Sequence, residues 1–85
     1  MSNTITLTDL MRTHLDPTCS GWGVEFERIR QEDASETMEL LHLVKRDGIQ
    51  HPIAIDRVGG IVVDGAKRIY VASLLGLREI PVVYL

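Results

Sequence analysis

The residues of this 85-residue chain that are best placed to do chemistry are Gly65, Ala66, Lys67 and Arg68. They follow the β-branched run Ile61-Val62-Val63, and Asp64 stands between that run and the glycine. A strand that turns through glycine into a helix makes an anion site. Glycine lets the backbone turn tightly and approach a ligand. The first N–H groups of the helix have no intrahelical partner and sit at the positive end of its dipole. Lys67 and Arg68 add two full charges there, and Arg68 can hold a phosphate through paired hydrogen bonds. The competing role for Arg68 is a structural ion pair with Asp64. Gln50 and His51 come shortly before the preceding strand. His51 is the one candidate catalytic residue, because imidazole can serve as an acid or base near neutral pH.

Other groups carry weaker signals. His14, Asp16 and Cys19 are close in sequence but do not have a recognised metal-ligand spacing, and no metal site is expected. Glu25 and Glu27, two apart on an expected strand, share a face that is either solvated or able to hold a metal. Glu32, Asp33, Glu36 and Glu39 read as helix capping and an exposed helix face. His42 lies in an apolar stretch and reads as a packing or edge residue. Trp22, between two glycines, reads as a loop anchor or lid over the core, with base stacking as its alternative.

The elements that position these groups follow from periodicity. Thr4 to Leu7 alternates and reads as a strand, and Thr8-Asp9 would cap one helical turn from Leu10 to His14. Residues 16–23 read as a loop, and Val24 to Ile29 as a strand. Asp33-Ala34-Ser35-Glu36 has the form of a capping box and opens a helix over 34–47, which Gly48 stops. Pro52 opens a strand to Asp56, Val58-Gly59-Gly60-Ile61 reads as a tight hairpin, and 61–63 returns. A helix over 66–75 stops at Gly76, and Glu79 to Tyr84 closes the fold. The whole is an α+β domain: a small mixed β-sheet with two main helices.

Composition bounds the rest. The chain is 45% hydrophobic, 25% charged and 5% aromatic, which excludes disorder and coiled coil as whole-chain readings. One cysteine, Cys19, excludes an internal disulfide. No apolar run approaches membrane-spanning length, and the start lacks the pattern of a secretory signal, so a cytoplasmic setting is expected. The net charge is −3. Residues 1–44 carry three basic and eight acidic side chains, and residues 45–85 six and four. The halves are therefore −5 and +2, and an anion site is expected in the second half.

Gly48, Pro52-Ile53, Gly65-Ala66-Lys67-Arg68, Ala72, Gly76 and Ile80-Pro81, in this order and spacing, resemble the N-terminal domain of the ParB/sulfiredoxin superfamily. Its pattern is a helix ending in glycine, a "QPI" strand, a hairpin, a "G-x-R-R-x-x-A-A" turn and helix, and "G-x-x-x-I-P" into the last strand. The match covers residues 35–84. The resemblance implies a single ParB/sulfiredoxin-like domain over 1–85 that holds the phosphates of CTP or ATP, with Mg2+. The phosphate-binding residues would be Gly65, Ala66, Lys67 and Arg68, with Gln50 and His51 lining the other side. It also implies a stand-alone core of phage or plasmid type, linked to DNA transactions. Two departures limit the resemblance. Sulfiredoxins carry cysteine in the turn, as Gly-Cys-His-Arg, where this chain has Ala66, so sulfinic-acid reduction is not expected. With Leu85 the last residue, a helix-turn-helix DNA reader is not expected either. The alternatives are a weak nuclease or NTPase using the same turn, and a non-catalytic protein that blocks a host partner. A homodimer across a sheet edge or helix face is compatible with either.

Overall fold

In a computed structural model, residues 3–85 are described. They form β1 (Asn3–Thr6), α1 (Leu7–Thr13), α2 (Trp22–Glu32), α3 (Ala34–Asp47), β2 (Ile53–Asp56), β3 (Ile61–Asp64), α4 (Ala66–Leu75) and β4 (Glu79–Tyr84). The strands make one mixed sheet in the order β1-β4-β2-β3. β1 pairs antiparallel with β4, β4 parallel with β2, and β2 antiparallel with β3. The expected α+β class holds, with four helices among the described residues where two main ones were expected.

Each strand presents alternate residues to one face. Ile53 and Ile55 of β2, Val62 of β3, and Ile80 and Val82 of β4 are buried together with Leu10, Trp22, Ile69 and Ala72. Burying a large aliphatic side chain contributes about 1.5–3 kcal/mol, so this shared core holds the helices on the sheet.

The segment expected as a strand over Val24 to Ile29 is the middle of α2. Its polar–apolar alternation gives way to a helical spacing in which Trp22, Phe26 and Ile29 turn toward the core. Gly21 is the N-cap, with φ of 111°, and Gly23 is tolerated in the first turn. Trp22 is accordingly a buried helix residue and not a lid. Its indole N–H donates to the carbonyl of His14 at 3.0 Å, and its ring meets Phe26, which meets Tyr70 of α4.

Two caps differ from expectation. Helix α1 starts at Leu7 because the hydroxyl of Thr6 accepts from the N–H of Asp9 at 3.2 Å. The capping box at Asp33 does not form: Asp33 is the N-cap of α3 but makes no side-chain cap bond. Its carboxylate, with that of Glu36, faces Lys67 of α4 instead. In the hairpin, four residues join β2 to β3, and of its two glycines only Gly60 has positive φ, 66°. Gly60 donates its N–H to the carbonyl of Asp56 at 2.8 Å.

Leu15 bridges in parallel to Ile61 through two backbone hydrogen bonds of 2.9 Å. This contact ties the loop that follows to the β3 edge of the sheet, beside the start of α4.

Candidate functional site

The turn from β3 into α4 has the conformation expected of it. Gly65 is the N-cap, with φ of 115° and ψ of 13°, a left-handed conformation that L-residues rarely adopt. A β-carbon at Gly65 would lie 2.6 Å from Cδ1 of Ile53 and 3.4 Å from its Cα. Both the backbone angle and the close approach to β2 therefore require glycine. No side chain caps α4, so the N–H groups of its first turn face outward from the end of the helix.

An open groove of about 410 Å³ lies over this turn. Residues 64–68 form one wall. The other carries Thr18 from the loop after α1, and Glu25 and Arg28 from α2. Asp16 holds that loop in shape. Its buried carboxylate accepts five hydrogen bonds: from the N–H and hydroxyl of Thr18, the N–H and hydroxyl of Ser20, and the N–H of Gly21. Burial pushes the Asp16 carboxyl up, but the bonds from Thr18, Gly21 and Ser20 outweigh it and leave it below its ordinary value.

All three cations of the groove have partners within the chain. Arg68, with only 18% of its side chain exposed, donates from Nη1 to the carbonyls of His51 at 2.7 Å and Pro52 at 3.0 Å. Its Nη2 lies 3.2 Å from Asp64 Oδ2, so the ion pair anticipated as its structural role is present. Arg28 donates from Nε to Glu25 Oε1 at 2.7 Å and from Nη1 to Glu32 Oε2 at 3.0 Å. The bond to Glu25 is the largest of the effects that raise the Arg28 guanidinium further above its ordinary value. Glu25 itself is only 1% exposed. The ammonium of Lys67 donates to Glu36 and lies 3.6 Å from Asp33 Oδ2. That bond to Glu36, aided by the charge of Asp33, holds the Lys67 ammonium above its ordinary range.

The structure brings Gly65, Ala66, Lys67 and Arg68 together at the groove. Gln50 and His51 line a neighbouring depression of about 200 Å³, and Arg68 lines both. The side chain of Gln50 donates to the carbonyl of Asp47, and His51 is exposed. Glu25 and Glu27 do not share a face, because two residues along a helix turn by about 200°. Glu27 is on the solvent side with Arg30. Among the described residues, no group of three His, Cys, Asp or Glu side chains could hold a metal ion. His14 uses its ring nitrogens on the Thr13 and Tyr84 hydroxyls, and Cys19 is exposed. His42 is exposed on α3.

Thr18, Glu25 and Arg28 were not anticipated as groove residues. The signal was present in the helical spacing of Trp22, Phe26 and Ile29, which puts Glu25 and Arg28 on one adjoining face.

No family model matches the chain, and no curated protein does. Among solved structures, a Pnob8-like ParB-N domain superposes on 99% of this chain with a TM-score of 0.67 and 14% sequence identity. The chain spans 29% of the length of that protein. With this likeness over nearly all its residues, and with the glycine turn its motifs predicted at the head of α4, the chain has a ParB-like fold.

Proposed function

We propose that the chain is a ParB-like nucleotide-binding module that seats the phosphates of CTP or ATP on the Gly65–Arg68 turn, in the service of DNA transactions of a phage or plasmid. One observation carries this reading: the uncapped N-terminus of α4 opens into a groove that also holds Arg28, Lys67 and Arg68. The volume, about 410 Å³, falls within the roughly 300–1,000 Å³ of small-molecule sites.

The residues divide the work. Free N–H groups at Ala66 and Lys67 donate to phosphate oxygens, with the helix dipole behind them. Arg28 supplies full charge from the facing wall, and Lys67 adds its own when its ammonium turns from Glu36 and Asp33 to the bound anion. Arg68 has the supporting role of fixing the start of β2 against the turn, through the carbonyls of His51 and Pro52. The donor set also fits Mg2+, which prefers one or two carboxylates together with phosphate oxygens. Asp64, 75% exposed at the groove, is the carboxylate that would hold it together with phosphate oxygens. When bound, Mg2+ offsets phosphate charge.

Titration calorimetry with CTP and ATP in magnesium buffer tests the reading, with a short DNA duplex as a second arm. Saturable nucleotide binding that weakens about tenfold in Lys67→Ala is the expected result. Absence of heat at millimolar nucleotide overturns it. Binding of the duplex alone would assign the groove to nucleic-acid phosphate.

A further inference from the structure

Lys67 lines the groove, yet its ammonium is engaged by two carboxylates of another element. The two carboxylates that hold it, those of the N-cap Asp33 and of Glu36 in the first turn of α3, do not line the groove. The pair joins the starts of two helices 31 positions apart in sequence. It also stands in place of a local capping box that the sequence Asp33-Ala34-Ser35-Glu36 is built to form.

We propose that the acidic first turn of α3 is a built-in competitor for the anion site. Asp33 and Glu36 hold Lys67 as a latch, and an anion seated on the Gly65 turn must draw the ammonium off α3 to complete its own shell. This rests on the phosphate reading above and adds a regulator to it: the latch sets the affinity of the groove. Three features of the pair suit a latch. Lys67 is 38% exposed and has a flexible stem, so it can reorient without disturbing the core. Glu36 is 68% exposed, so its removal leaves no buried group unpaired. Exposed pairs of this kind have modest strength, enough to bias a side chain without locking it.

A second consequence concerns salt. Screening weakens the latch and the anion site together, so affinity falls less steeply with salt than in a chain lacking Glu36.

The test is calorimetric binding of inorganic triphosphate to the wild type, Glu36→Gln, Lys67→Met and the double variant, with Asp33→Asn as a second way to weaken the latch. Glu36→Gln is expected to bind about two- to fivefold tighter, the range an exposed ion pair spans. In the Lys67→Met background the same substitution is expected to change nothing. Tightening of equal size in both backgrounds overturns the latch, because it marks a general field effect of the lost charge. So does wild-type binding that depends on Lys67 but is unmoved by Glu36→Gln and Asp33→Asn, a result that leaves the phosphate reading standing. Absence of binding in all the proteins overturns both.

Discussion

Replacing Gly65 by alanine strikes the turn in two ways whose sizes follow from the geometry. The φ of 115° places an L-residue in a left-handed conformation, at a cost of about 1–2 kcal/mol. The new β-carbon would sit 2.6 Å from Cδ1 of Ile53, which is fully buried and cannot turn aside freely. Overpacking of this kind adds about 1–3 kcal/mol. The expected loss is therefore about 2–5 kcal/mol, against a total stability of roughly 4–13 kcal/mol for a domain of this length. In urea, at an m-value of about 1 kcal/mol/M, the midpoint falls by about 2 M or more. A second substitution separates the two causes. Ile53→Val removes the clashing Cδ1. Alone it destabilises by about 1 kcal/mol. In the Gly65→Ala background its cost is expected to be offset or slightly exceeded, through a coupling of about 1–2 kcal/mol, while the strain of the positive φ remains. A Gly65→Ala loss below about 0.5 kcal/mol, or strict additivity of the two substitutions, would refute the close approach of the turn to β2.

Arg68→Ala is expected to lower stability by about 1–3 kcal/mol, because it leaves the carbonyls of His51 and Pro52 without their charged donor. Arg68→Lys restores only part of this, since an ammonium cannot span both carbonyls and Asp64 as a planar guanidinium does; urea unfolding of both variants checks it. Asp16 sets a pH dependence. Its folded-state carboxyl lies below the ordinary value, so its contribution is complete above the unfolded value near 4 and is lost as pH falls through the lower folded value. Asp16→Asn therefore lowers the thermal midpoint at neutral pH and flattens its fall below about pH 4; an unchanged acid limb contradicts this.

Much of the architecture was legible because its signals are local. Gly48, Gly65 and Gly76 stop or start helices with positive φ where the sequence predicts. The Ile53–Asp56 and Glu79–Tyr84 strands carry β-branched residues at alternate buried positions. The misreadings arise where tertiary contacts overrule local pattern. Alternation over Val24 to Ile29 suggested a strand, while the burial of Trp22, Phe26 and Ile29 against α4 and the sheet favours a helix. The capping box at Asp33 lost to a cation that arrives from α4, which no short-range rule contains. The turn at Gly65 was evident from the sequence, but the opposite wall of its groove was not, because Thr18 and Arg28 reach it only through the folding of α2 and the Asp16 loop.

The claim at the centre is that an anion seats on the first turn of α4. Amide chemical shifts of the labelled chain, followed through titration with magnesium CTP, magnesium ATP and triphosphate, test it most directly. The predicted result is saturable movement at Gly65, Ala66, Lys67 and Arg68, with Thr18 and Arg28 responding from the facing wall. Spectra unchanged at millimolar ligand, or shifts confined to Gln50, His51 and the neighbouring depression, would contradict it.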